Sequence, residues 1–317
     1  MRLKPRSSMG RAMADIVLLG PPHLSFDLAS DWRQLTAFPF MVNALEAGTI
    51  VAVMAAVTGW FMVLRRQSFA GHTLSTMSFP GASAAALIGV PIAAGYFAFA
   101  VAAAIVIGAA SRNAGRRGLA HESAVIGAVQ AFGFGAGFLF LSLYSGVLES
   151  LETLLFGSFL GISRGQVITL LAVAIAVLVF FLAAGRPLFF ASVDEDVARA
   201  QGVPVRGLSL AFLLVLGLAV AATAQITGVL LVFALLIAPP AAAQQLTARV
   251  ALGMVLSVTI ALVVTWVGLA LAYFTNDPVG FFITTLGFGI YLLARGAHAL
   301  RGRSRAWGTR PVPAVAG

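Results

Sequence analysis

The chain has 317 residues, of which 60% are hydrophobic and only 10% charged, too little polar surface to cover a soluble globule of this size. Cysteine is absent, which excludes disulfides, thiolate metal ligands and cysteine nucleophiles. A formal charge of +9 could suggest nucleic acid, but the basic side chains sit in tails and in short loops between apolar runs, where the positive-inside effect accounts for them. In chain order, residues 1–39 carry Arg2, Lys4, Arg6, Arg11, Pro21-Pro22 and Trp32. Their apolar run, Ile16 to Leu19, is too short for a signal-peptide core, and the segment reads as a surface tail.

Nine apolar spans follow, at about 40–64, 70–90, 91–110, 122–143, 166–184, 205–224, 226–245, 250–274 and 278–294. Hydrocarbon about 30 Å thick needs roughly 20 helical residues per crossing, and only helices satisfy the backbone there. The alternating segments of about ten residues that a membrane barrel requires are absent. The expectation is an all-α polytopic membrane protein of eight or nine helices, with a tail (1–39), a transmembrane domain (40–296) and a basic cytoplasmic tail (297–317). The second span is interrupted at Pro80-Gly81; the fourth carries Gly127, Gly133, Gly135 and Gly137, which permit close helix contact. Residues 144–163, YSGVLESLETLLFGSFLGIS, are amphipathic and suit an interfacial or re-entrant segment.

Nine crossings put Arg65, Arg66, Arg112, Arg116, Arg117, Arg186, Arg199, Arg206, Arg249 and the C-terminal Arg295, Arg301, Arg303, Arg305 and Arg310 on one face. The N-terminal tail apart, Arg164 alone faces the other side, so the first face is the cytoplasmic one. The tail's own basic residues run against this assignment, although of these only Arg33 is close to the first span. A charged stretch from Asp194 to Gln201 and a polar one from Gln244 to Arg249 flank a hairpin of two spans, so both emerge on the cytoplasmic side. Pro239 and Pro240 release the carbonyls of Leu235 and Leu236, which predicts a turn there and a segment running along the membrane surface, suited to docking another protein.

Charged groups within spans are few. Glu46 suits a packing partner or the lining of a pathway, and His72 a hydrogen-bonded residue at a helix start or a transition-metal ligand. His121 and Glu122 read as a helix start near the headgroups. A break at Pro80, Gly81, Ala82 and Ser83 fits a relieved kink, a tight interface or the broken helix of a transport path. Catalysis finds no support: the chain lacks a G-x-x-x-x-G-K-[ST] loop and an H-E-x-x-H pair, and Lys4 is its only lysine. Any ATP used in transport is hydrolysed on another polypeptide.

Three blocks, FMVLRRQSFAGHTLSTMSFPGASAAALIG at 61–89, SVDEDVARAQGVPV at 192–205 and TGVLLVFALLIAPPAAAQQL at 227–246, resemble the permease subunits of ATP-binding-cassette (ABC) importers for zinc and manganese. The resemblance covers residues 40–296. It implies a bacterial plasma-membrane permease that binds no cofactor itself, pairs with a second permease copy and two cytoplasmic ABC ATPases, and receives metal from an extracytoplasmic binding protein. It further implies that Gln244, Gln245, Thr247 and Arg249, after Pro239-Pro240, form a coupling helix on the ATPase, with Asp194, Arg199 and Gly202 beside it. Family members commonly read G-D-A-L-S-H where this chain reads Gly71-His72-Thr73-Leu74-Ser75-Thr76. His72 thus replaces the acid and Thr76 the imidazole, leaving one nitrogen ligand, which favours zinc over manganese. His72 and Glu46 are the candidate pathway residues for Zn(2+) or Mn(2+), with Pro80, Gly81 and Ser83 lining the broken helix. A siderophore or vitamin importer of the same architecture, an ion-coupled secondary carrier and a membrane scaffold are the rival readings, separated by whether an ATPase co-purifies and which ligand stimulates it.

Overall fold

An apolar chain in hydrocarbon must close its own backbone hydrogen bonds, and all regular structure among the described residues is helical. The computed structural model describes residues 27–114, 119–144, 161–275 and 277–308. In chain order the helices are α1 (Leu28–Thr36), α2 (Pro39–Leu64), α3 (Ser68–Thr76), α4 (Ser78–Ile88), α5 (Ile92–Ala114) and α6 (Leu119–Leu143). After them come α7 (Arg164–Val193), α8 (Glu195–Ala200), α9 (Val205–Thr227), α10 (Val229–Leu246), α11 (Val250–Thr275) and α12 (Val279–Gly308). Seven of these, α2, α5, α6, α7, α9, α11 and α12, are long and apolar enough to cross a membrane. The shorter apolar α10 falls on the seventh expected span and the end-to-end pair α3 and α4 on the second. The amphipathic segment expected at 144–163 lies almost wholly outside the described residues.

Helix α2 is apolar on every side and forms the centre, as a helix without a polar face must. Met54, Trp60, Phe61 and Met62 are buried against α7, α9, α10 and α11. Phe61 stacks on Phe181 of α7 with ring centroids 4.8 Å apart. The surrounding helices keep apolar outer faces, including Phe132 and Phe138 on α6, Leu182 on α7 and Leu293 on α12, as hydrocarbon requires.

Side-chain bonds tie the helices at two levels. At one end Arg65 donates to Ser192 Oγ on α7 (3.2 Å) and to Ser209 Oγ on α9 (2.7 Å), with its guanidinium 5.2 Å from the Phe212 ring centroid. Gln244 Nε2 donates to the Trp60 carbonyl (3.2 Å), and His298 Nδ1 lies 3.0 Å from the Gln245 carbonyl oxygen. At the other end Glu46 pairs with Arg164, Asn43 donates to the Ile162 carbonyl (3.0 Å), Trp266 Nε1 donates to Thr49 Oγ1 (2.9 Å) and Tyr273 donates to the Gln34 carbonyl (3.4 Å). Residues 46 and 65 lie 65 − 46 = 19 positions apart on one helix, about 28 Å at 1.5 Å per residue and close to the hydrocarbon thickness. The end holding Arg65, Arg66, Arg199, Arg206 and Arg249 is therefore the cytoplasmic one. Arg65→Lys removes the two-pronged grip, because an ammonium cannot reproduce the guanidinium fork. It is expected to cost about 1.5–3 kcal/mol, read as a lower thermal midpoint of the purified protein.

Several boundaries depart from the sequence expectation. The 1–39 tail includes α1, capped by Asp27 Oδ1 accepting from Ala29 N at 3.1 Å and seated through buried Leu35. The last span continues as α12 to Gly308, past the expected limit at 294 and into the segment taken as a tail. The second span breaks at Met77, not at Pro80-Gly81, and Pro80 sits in the first turn of α4. A proline disturbs the carbonyl four residues before it, here Thr76, so the interruption falls one turn upstream. The double proline does not turn the chain at all: α10 runs unbroken through Pro239 and Pro240 to Leu246. Neighbouring helices absorb the freed carbonyls, and Ala241, Ala242 and Ala243 are strong helix formers that carry the helix on.

Candidate functional site

Five of the buried polar side chains, Thr73, Ser75, Thr76, Ser78 and Ser83, lie at the break between α3 and α4. Thr73 Oγ1 donates to Gln130 Oε1 on α6 (3.2 Å), Ser75 Oγ to the His72 carbonyl (2.7 Å), Thr76 Oγ1 to the Thr73 carbonyl (2.9 Å) and Ser83 Oγ to the Phe79 carbonyl (3.0 Å). Two buried atoms here have no partner among the described residues, His72 Nδ1 and Ser78 Oγ. An orphaned buried polar atom costs about 1–3 kcal/mol; Thr58 Oγ1, Trp60 Nε1 and Thr265 Oγ1 are likewise unpartnered, but singly and away from the break. Pro80 has no N–H, which leaves the Thr76 carbonyl without its helical donor as well.

The His72 ring packs 4.7 Å from the Phe233 ring of α10. Phe233 lies one turn above Leu236, whose carbonyl meets Gly59, six residues or about 9 Å above Arg65 on α2. His72 therefore lies inside the span, on the cytoplasmic side of Phe233, next to Gly71, where an added Cβ would meet Met62 Sδ. The glycines of α6 let it close on the break: a Cβ on Gly133 would stand 2.2 Å from Met77 Cε, and one on Gly137 2.6 Å from Phe79 Cε1. Gly127 and Gly135 have nothing within 4 Å, so half of the expected glycine row serves no contact. Gly81 and Gly95 bring α4 and α5 together, a Cβ on Gly81 falling 2.4 Å from the Gly95 carbonyl oxygen. Pro80, Gly81 and Ser83 thus stand in the broken helix, with Gly81 serving the interface.

Glu46 is placed elsewhere. It faces Arg164 at the outer boundary, about 28 Å above Arg65, so the two expected pathway residues are not brought together. Among the described residues no three His, Asp or Glu side chains cluster closely enough to hold a metal ion. The side chains of His121 and Glu122 lie outside the described residues.

At the cytoplasmic end α8 is a short surface helix that the sequence builds deliberately. Asp194 Oδ1 caps it, accepting from Asp196 N (3.1 Å) and Val197 N (3.0 Å), and Glu195 and Asp196 in the first turn face Arg199 in the last. Both charge placements suit the helix dipole, and Arg199 pairs with both acids. Gly202 closes the helix at φ +82°, with its N–H on the Arg199 carbonyl and Val203 N on the Ala198 carbonyl. Ala198 is buried against Ala191 and Val205, whereas Glu195, Asp196, Val197 and Arg199 face outward. Gln244 and Gln245 are half-buried in the end of α10, and Thr247 and Arg249 form the turn after it, Thr247 Oγ1 accepting from Arg249 N at 3.2 Å. No separate lateral helix follows Pro239-Pro240; α8 is the lateral element on this face.

Sequence reasoning missed Gln130, Ser78, Phe233 and Arg164. Gln130 was detectable as an amide inside an apolar span; Phe233 and Arg164 meet partners far away in the chain, and Ser78 stands out only through its burial without a partner.

Residues 37–297 match the family model described as the ABC 3 transport family. The manganese transport system membrane protein MntC of Halalkalibacterium halodurans is 31% identical over 216 residues, 68% of this chain and 73% of the relative. The chelated iron transport system membrane protein YfeD of Yersinia pestis is 31% identical over 203 residues, 64% of this chain and 67% of that protein. Among solved structures, PsaBC from Streptococcus pneumoniae in complex with Fab superposes with a TM-score of 0.73 at 26% identity, covering 84% of this chain and 95% of that one. With a polytopic helical fold, a broken second crossing and a model match spanning nearly the whole membrane domain, the chain belongs to the ABC 3 transport family, as a multi-pass permease of the bacterial plasma membrane.

Proposed function

We propose that the chain is the permease of an ABC importer that carries a divalent first-row transition-metal ion into the cytoplasm. The observation that carries this reading is the His72 imidazole nitrogen, unpartnered among the described residues, beside a helix break within the membrane span, in a family whose relatives are described as manganese and iron transporters. A passing ion needs ligands that bind weakly enough to release it, and one imidazole among hydroxyls and a freed carbonyl suits brief coordination. Imidazole is a borderline donor and divalent affinities rise from manganese toward zinc, so zinc is the favoured cargo, with manganese and iron as its competitors. A second permease copy would complete the path, two cytoplasmic ABC ATPases would supply the energy, and an extracytoplasmic protein would deliver the metal.

On the inner face α8 is the best-formed dock for the ATPase: a capped, outward-facing helix of Asp194 to Arg199, closed by Gly202 and footed on Ala191 and Val205. Gln245, Thr247 and Arg249 at the end of α10 extend the same surface. The unbroken α10 then links the dock to Phe233 and His72 as one rigid rod, through which ATPase closure can reach the path.

In vesicles holding the assembled transporter, His72→Ala is expected to lower radioactive zinc uptake about tenfold. Co-purification of the ATPase should be unchanged. Equal uptake by the variant would leave His72 a packing residue. Competition with unlabelled manganese and iron ranks the cargo: manganese displacing zinc at equal concentration would overturn the preference.

A further inference from the structure

Outside the site already described, a groove of about 510 Å³ opens at the outer boundary, within the ~300–1,000 Å³ typical of small-molecule sites. Trp32 and Thr36 of α1 roof it, α2 forms its floor, and α7 and α11 form its walls. Its lining is mostly apolar, Ile50, Ile168, Leu171 and Trp266 among others, with the hydroxyls of Thr36 and Thr49 and, facing each other, the charged Glu46 and Arg164. Leu171 lies seven residues below Arg164 on α7, so the apolar slot runs about 10 Å into the hydrocarbon beneath the charges.

We propose that this groove binds one aminophospholipid molecule of the outer leaflet, its phosphate on Arg164, its primary ammonium on Glu46 and an acyl chain along Ile50, Ile168 and Leu171. A purely anionic headgroup would meet the Glu46 carboxylate, and a cationic one would meet Arg164; a zwitterion satisfies both. The Arg164 and Glu46 side chains are 65% and 40% exposed, so the pair is open at the surface of the chain. Such a pair contributes only about 0–1 kcal/mol by itself, and exchanging partners costs little. Tryptophan at the roof and wall suits the headgroup level. Because the carboxylate accepts N–H bonds, a primary ammonium is preferred to a choline, which has none to donate.

Native mass spectrometry of the purified full-length protein, with phosphatidylethanolamine and phosphatidylcholine added at equal concentration, tests this. The expected result is one retained phosphatidylethanolamine per chain in roughly tenfold preference over phosphatidylcholine, the factor that one charge-assisted hydrogen bond gives. Glu46→Gln should erase the preference while keeping bound lipid. Ile168→Trp, which fills the slot and leaves the ion pair intact, should lose the lipid without lowering the thermal midpoint in lipid-free detergent. Equal retention of the two lipids by the unaltered protein, or unchanged retention by Ile168→Trp, overturns the proposal. So does disulfide trapping of Ile168→Cys to a second copy of the chain, which would make the groove an interface.

Discussion

Gly59→Leu is expected to leave no folded permease, and Gly59→Ala to cost about 1–3 kcal/mol, the usual range for overpacking a close contact. A Cβ on Gly59 would stand 2.0 Å from the Leu236 carbonyl oxygen and 2.8 Å from its carbon, and both are backbone atoms that cannot swing aside. Leu236 is the residue whose helical donor Pro240 removes, so its carbonyl has turned to the Cα of Gly59 for a weaker contact. Only glycine lets α2 and α10 come that close, and α10 carries Phe233 to His72. Gly127→Ala is the control: with nothing within 4 Å it should be neutral or stabilise by about 0.5–1 kcal/mol. Thermal unfolding of the purified proteins checks both, and a Gly59→Ala midpoint equal to that of Gly127→Ala would remove the close contact from the account.

The second large effect is expected at α8. Val197 is 46% exposed at the crest of the helix, flanked by Asp196 and Arg199. An apolar residue held outward on a rigid cytoplasmic helix is an anchor for a partner, and losing one at the centre of an interface costs about 2 kcal/mol or more. Val197→Asp should therefore abolish ATPase co-purification and metal uptake while the protein still reaches the membrane in normal amount. Replacing Gln245 and Arg249 together with glutamate should act in the same direction from the end of α10. Wild-type uptake in Val197→Asp would take α8 out of the dock; wild-type uptake in the double variant would confine the dock to α8.

The crossings were legible because hydrocarbon admits one solution for an apolar run, and the span from 250 to 274 lies within one residue of α11. The proline effects were legible only in kind. Pro80 marked a break but displaced it upstream to Met77, and Pro239-Pro240 marked freed carbonyls whose fate depended on Gly59, 177 positions from Leu236. The site was half legible: His72 stood out as an imidazole in an apolar run, but its Phe233 neighbour and the Gln130 clasp on Thr73 are tertiary contacts. Glu46 stood out equally and lies at another level of the bilayer, because its partner Arg164, 118 residues away, holds it at the outer boundary. Helix α8 was legible at Asp194, Arg199 and Gly202, whose cap, dipole and left-handed signals are local. The turn expected after the double proline was not, because a local rule met a supporting neighbour.

Sidedness decides whether the motor can grip at all, and the absence of native cysteine makes it directly measurable. Val197→Cys and Gly280→Cys, singly introduced, are exposed to a membrane-impermeant maleimide in intact cells and in inverted vesicles. Gly280→Cys should react in cells and Val197→Cys only in inverted vesicles. Labelling of Val197→Cys from outside intact cells would place α8 on the wrong face and contradict the account.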